Sequence, residues 1–130
     1  MAGLSGPERD AASGRADSLV IFLHGYGADG DDLIGLAEPL APHLPSTRFL
    51  APNAPERCVN NPAGYQWFPI PWLDGSSEAA AALAAGQAFA ALDAWLDEVA
   101  RQGIGPERTI LLGFSQGTMM ALQVGLRGRA

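Results

Sequence analysis

The most constraining stretch of this chain is Gly113-Phe114-Ser115-Gln116-Gly117, which follows directly on the apolar run Ile110-Leu111-Leu112. Residues 108–112 are short, apolar and preceded by Pro106, as suits a buried strand. Met119, Met120, Leu122, Val124 and Leu126 then suit a helix. A strand that passes straight into a helix around one serine forces that serine into a strained, positive-φ backbone and pushes its side chain into solvent. The residues two before and two after it must lack side chains for strand and helix to approach. Gly113 and Gly117 hold those two places.

Five letters are weak evidence in a chain with 16 glycines, and a structural Ser in a Gly-rich turn is the competing reading. The rest of the chain supplies context. Leu19-Val20-Ile21-Phe22-Leu23 is a continuous apolar run, as expected of a strand covered on both faces. The glycine-rich segment His24-Gly25-Tyr26-Gly27-Ala28-Asp29-Gly30 follows as a loop. Asp31 or Gly30 can cap a helix with Leu33, Leu36, Ala37 and Leu40 on one face, which Pro39 bends or ends. Arg48-Phe49-Leu50-Ala51 reads as a second strand.

Residues 52–77 read as a long irregular segment with five prolines and the cluster Tyr65, Trp67, Phe68, Ile70 and Trp72. Connections of that length are commonly functional. Ser76 or Ser77 can cap an alanine-rich helix whose stripe Leu83, Phe89, Leu92, Leu96 and Val99 faces the core until Gly103 stops it. Strand and helix alternate three times, which predicts an α/β fold with a three-layer parallel sheet and right-handed crossovers. Ligands of such sheets bind at the carboxyl ends of the strands. The 24–30 loop, the 52–77 segment and Ser115 all fall there.

A serine so placed has the geometry of a nucleophile elbow. Its oxyanion needs preorganised donors, and the Gln116 amide, at a helix N-terminus, is one candidate. A second is expected from the loop around Tyr26.

Composition narrows the alternatives. With 130 residues, 48% hydrophobic, the chain is one domain at most. Residues 1–17 read as a mostly flexible leader without a signal-peptide core, and residues 18–130 as the folded portion. A net charge of -6 with eight Lys plus Arg argues against nucleic acid or anionic lipid as partners. No segment reads as approaching the length of a membrane span, so integral membrane association is not expected. The lone Cys58 forms no internal disulfide, lacks partners at metal-ligand spacing and fits a cytoplasmic setting. No metal or organic cofactor is implied.

Taken together, Leu23-His24-Gly25-Tyr26-Gly27-Ala28-Asp29-Gly30, Ala51-Pro52-Asn53-Ala54-Pro55, Trp67-Phe68 and Gly113-Phe114-Ser115-Gln116-Gly117 resemble the phospholipase/carboxylesterase family of α/β-hydrolases, which includes the acyl-protein thioesterases. The resemblance runs from about Leu19 to the last residue. It implies a serine hydrolase acting on carboxylic esters or thioesters of small molecules or acylated substrates. Ser115 would be the nucleophile, the amides of Tyr26 and Gln116 the oxyanion hole, and Trp67-Phe68 part of an acyl pocket. Many relatives have Leu where Tyr26 stands, a change that an amide donor tolerates.

In one respect the chain departs from the family order of Ser, Asp, His: residues 116–130 contain neither Asp nor His. The expectation is the N-terminal portion of an α/β-hydrolase fold, incomplete at its C-terminus and inactive alone. His24 is expected to hold its loop by hydrogen bonds, and His43 lies among prolines. Two other readings compete. A non-catalytic binding module predicts monodisperse behaviour, whereas a truncated enzyme predicts self-association through the unpaired apolar edge at Ile110 to Leu112. Gly25-Tyr26-Gly27-Ala28-Asp29-Gly30 also matches a dinucleotide fingerprint, although Asp29, Asp31 and Asp32 would repel a pyrophosphate.

Overall fold

The computed structural model describes residues 4–125. Its core is a four-stranded sheet in which β2 (Ser18–Leu23) lies between β3 (Thr47–Leu50) and β6 (Thr109–Gly113), both parallel to it, and β1 (Glu8–Arg9) pairs antiparallel with β3. The expected parallel sheet is therefore mixed at one edge. The stretch read as a leader supplies that edge. Glu8 faces Leu50 and Arg9 faces Phe49 in register, the Pro7 carbonyl accepts from the Ala51 amide, and Ala11 is buried. Ion pairs of Arg48 with Glu8 and of Arg9 with Glu38 lie alongside, but exposed pairs contribute at most about 1 kcal/mol each. Backbone pairing is the larger reason that β1 stays on the sheet.

β2 explains why two layers of helix are needed. Leu19, Ile21 and Leu23 pack into one cluster with Leu92, Leu96, Val99, Met120 and Val124. The alternate residues Val20 and Phe22 pack on the other face with Phe49, Ala37 and Ala41. Each such side chain contributes about 1.5–3 kcal/mol when fully buried, so a strand apolar at every position is stable only when covered on both sides. The long helix α4 (Glu78–Ala100), capped by the Ser77 hydroxyl, and α5 (Gln116–Val124) cover the first face. The second is covered by α1 (Gly30–Ile34), α2 (Ala37–Leu40) and the 3-10 turn Ala41–His43.

Several sequence expectations shift. The cap of α1 is Asp29, whose carboxylate accepts from the Asp32 amide while Asp32 reciprocates, rather than Asp31 or Gly30. The buried stripe of α4 is Ala84, Ala88, Leu92, Leu96 and Val99, with Leu83 turned to solvent. On α5, Met120 and Val124 are buried while Met119 and Leu122 are exposed; Leu126 lies outside the described residues. Contrary to the expectation that no segment approaches a membrane span, α4 is long and apolar enough by length and composition to cross one. Alanine produces that apolarity, and the large side chains of the helix's sheet-facing stripe pack on β2.

Residues 52–77 are not irregular throughout. They contain a two-stranded ribbon of β4 (Glu56–Arg57) and β5 (Tyr65–Gln66) and the short helix α3 (Pro71–Asp74). At the opposite edge, Ile110 and Leu112 of β6 stand in register with Val20 and Phe22 yet are 58% and 41% exposed. The second face is thus uncovered beyond the central strand.

Candidate active site

Ser115 is the one non-glycine among the described residues with a positive φ, at φ 54° and ψ -117°. Such a conformation costs on the order of 1–3 kcal/mol. The surroundings impose it. A Cβ on Gly117 would lie 2.0 Å from the Leu23 carbonyl oxygen, and one on Gly113 would lie 2.4 Å from the Gly117 oxygen. The Phe114 amide donates to the Leu23 carbonyl at 3.0 Å, fastening the turn to the end of β2.

The loop after β2 meets this turn. A Cβ on Gly25 would come within 3.1 Å of Ser115 Cβ and 3.2 Å of the Phe114 oxygen, so a side chain there would push the two backbones apart by a few tenths of an ångström. Tyr26 follows next in the chain. Among the described residues, no backbone hydrogen bond engages its amide or that of Gln116, the first residue of α5. A free N-H at a helix start is the normal donor for an anion.

His24 shows how the loop is held. It is fully buried and stacked on Trp67, with ring centroids 5.5 Å apart. Its Nε2 accepts from the Ala54 amide at 2.9 Å, which leaves Nδ1-H to donate to the Gly25 carbonyl at 2.8 Å. Burial lowers its pKa, against smaller opposing effects of the Gly25 carbonyl, Asp29 and Asp32. With both nitrogens committed, His24 is a neutral support and not a base for Ser115.

The aromatic pair divides. Phe68 lines a cleft of about 470 Å³ beside Ser115, whereas Trp67 is completely buried and donates its indole N-H to the His24 carbonyl at 2.8 Å. The expectation of Trp67 as a pocket residue is therefore corrected: the structure puts it beneath the loop. The cleft is lined by Phe68, Ile70, Pro71 and Trp72 of the aromatic segment, by Ala81, Ala82 and Ala85 of α4, and by Ser115, Gln116 and Met119. It is apolar, with Glu78 its one ionisable lining residue.

One contributor went unseen in the sequence. The Gln116 side chain is buried, accepts from the Trp67 amide through Oε1 at 2.8 Å and donates from Nε2 to the Phe68 carbonyl at 2.8 Å. It grips the aromatic loop by its main chain. A polar residue just after the serine is visible in sequence, but its partners lie 48 and 49 residues away.

The alternative nucleotide reading finds no support at the same loop. The Gly30 amide donates to Asn53 Oδ1 at 2.7 Å and the Asp32 amide to Asp29, so donors a pyrophosphate would need are taken.

A strained serine leaving one parallel strand, met by a glycine loop from the next, places the molecule among the α/β-hydrolases. Known proteins agree. The Phospholipase/Carboxylesterase family profile matches residues 7–129, and the chain belongs to that family. Acyl-protein thioesterase 1 of Kluyveromyces lactis is 32% identical over 114 residues, covering 82% of this chain and 49% of its own length. The Saccharomyces cerevisiae protein of the same name is 33% identical over 114 residues, covering 82% and 50%. Among solved structures, esterase PE8 superposes with a TM-score of 0.87 at 51% identity, covering 97% of this chain and 59% of that one. A phospholipase/carboxylesterase from Dyadobacter fermentans gives 0.68 at 27%, covering 96% and 55%. The chain spans about half the length of the curated relatives it matches.

Proposed function

We propose that this chain carries the nucleophile and oxyanion half of a serine esterase. Ser115 Oγ attacks the carbonyl carbon of a carboxylic ester or thioester, its proton passes to a base, and the carbonyl oxygen becomes an oxyanion between the amides of Tyr26 and Gln116. Collapse of that intermediate expels the alcohol or thiol and leaves the acyl group on Ser115, from which water releases the acid. The apolar cleft between α3 and α4 takes the acyl chain.

The observation that carries this reading is the strained backbone of Ser115 packed against Gly25. Strain of that kind persists only where surrounding structure enforces it, and it clusters at functional sites. The N-terminus of α5 adds its dipole to the oxyanion position. Removing one such donor in a well-studied protease costs about 3 to 4 kcal/mol, so two aligned amides form a large part of the catalytic machinery.

No base for Ser115 is assigned within residues 1–130. His24 is committed to the loop, and the family order of Ser, Asp, His finds no match in residues 116–130. We assign Ser115 low intrinsic reactivity in this chain and expect an external base to raise it. The test is labelling with an alkyl fluorophosphonate, with and without added imidazole, followed by peptide mapping. Modification at Ser115 that imidazole accelerates and that Ser115→Ala abolishes is the expected result. Modification elsewhere, or none even with imidazole, defeats the reading. The uncovered Ile110 and Leu112 favour self-association of the chain through β6.

A further inference from the structure

The side chain of Tyr26 does something that an amide donor does not require. Its hydroxyl donates to Asp74 Oδ2 at 3.1 Å. The Asn60 side-chain amide reaches the same hydroxyl at 3.5 Å and the Leu73 carbonyl at 3.2 Å. Asp74 also closes α3 on itself, accepting from the Ile70 and Ser76 amides at 2.9 Å each. Three segments far apart in sequence thus meet at one polar cluster beside the cleft.

That cluster is the main restraint on α3. The helix is four residues long and contains no buried residue, with Trp72 82% exposed. A helix of that length has no stability of its own, and little apolar contact fastens it down. Yet Ile70, Pro71 and Trp72 line the cleft. Whatever holds α3 therefore sets the width of the cleft next to Ser115.

We infer that Tyr26 is a positioning residue: its hydroxyl latches α3 through Asp74 to the loop that packs on Ser115, and so sets the acyl-binding wall and its preference for extended over short acyl chains. The acyl preference rests on the esterase reading above; the latch itself rests on the hydrogen bonds. The protonation states suit a permanent fastening. Partial burial, then the Cys58 thiol and Asp74, push the Tyr26 hydroxyl well above the ordinary phenol range. Hydrogen bonding at Ser76, outweighing desolvation, and then the Ile70 amide and the Tyr26 hydroxyl hold the Asp74 carboxyl down to about 2. Donor and acceptor therefore keep their roles throughout the neutral range.

The experiment is amide hydrogen exchange on the full 130-residue chain as wild type, Tyr26→Phe, Asp74→Asn and the double variant. Tyr26→Phe should speed exchange at Ile70 and Ser76 about fivefold, the loss of one ordinary hydrogen bond, while amides of β2 keep their rates. The double variant should add little to Asp74→Asn alone. In parallel, the ratio of Ser115 labelling by dodecyl over ethyl fluorophosphonate, with imidazole present, should fall about fivefold in Tyr26→Phe. Unchanged exchange at Ile70 and Ser76, or a rise shared equally by β2, overturns the latch. Altered exchange with an unchanged labelling ratio overturns its role in acyl preference. Altered exchange with no labelling of wild type by either probe upholds the latch and defeats the esterase reading instead.

Discussion

The loop after β2 is sewn down by polar side chains: His24 ties it to Ala54, Asn53 to the start of α1, and Asn61 donates to the Gly27 carbonyl at 2.8 Å. The turn after β6, one strand away, is held differently. Ser115 makes no side-chain capping bond; its turn can close because Gly113 and Gly117 carry no Cβ, and main-chain hydrogen bonding of Phe114 to Leu23 fastens it. The comparison separates two ways of fixing an active backbone. Polar sutures fail gradually, one bond at a time, whereas steric exclusion fails all at once when a methyl group is added.

The largest expected effect breaks the steric side. Gly117→Ala places a methyl 2.0 Å from the Leu23 oxygen and should cost at least about 4 kcal/mol, at the upper end for single substitutions. Urea unfolding followed by circular dichroism checks this, and a cost below about 1 kcal/mol would sink the steric account.

On the sutured side, His24→Ala removes a buried ring and strands the Ala54 amide, for about 3 kcal/mol. Here pH sharpens the contrast. The pKa of His24 is lowered in the fold by burial, so between that value and about 6.5 the unfolded chain binds the extra proton. The stability from a neutral His24 is therefore complete above about pH 6.5 and is lost as pH falls toward the folded value. The difference in urea midpoint between wild type and His24→Ala should shrink from pH 7.5 to pH 5. A constant difference contradicts the neutral assignment.

Gln116→Leu sits between the two cases, since it leaves the turn intact but orphans the Trp67 amide and Phe68 carbonyl. A loss of about 2 kcal/mol is expected, with faster hydrogen exchange at Trp67. Unaltered exchange there would show that the clamp is dispensable. Smallest is Gly86→Ala on α4, where an added Cβ meets nothing within 4 Å. It should raise stability by about 0.5–1 kcal/mol through helix propensity. A loss instead would mean that glycine on this helix is needed for reasons other than space.

The same contrast explains what the sequence disclosed. Steric requirements are written locally, so Gly113, Ser115 and Gly117 announce the turn in five letters, and the unbroken run from Leu19 to Leu23 announces a strand buried on both faces. Sutures are written across distance. Nothing near His24 names Ala54 as its partner, and nothing near Gln116 points to Trp67 and Phe68. Trp67 looked like a pocket residue because aromatic character does not distinguish lining from support. β1 was hidden for a related reason: Glu8 and Arg9 lack apolar alternation, and only pairing with Leu50 and Phe49 makes them a strand.

Because Gln116 grips residues 67 and 68 through backbone atoms, its hold does not depend on which side chains those positions carry. Trp67 is bound separately by its stacking on His24, but Phe68 faces the cleft with its identity unconstrained by the clamp. Position 68 is therefore released from the clamp but not from α4, whose Phe89 meets the Phe68 ring edge-on at 6.3 Å, so rewriting the binding surface there keeps the main-chain grip and gives up that one ring contact.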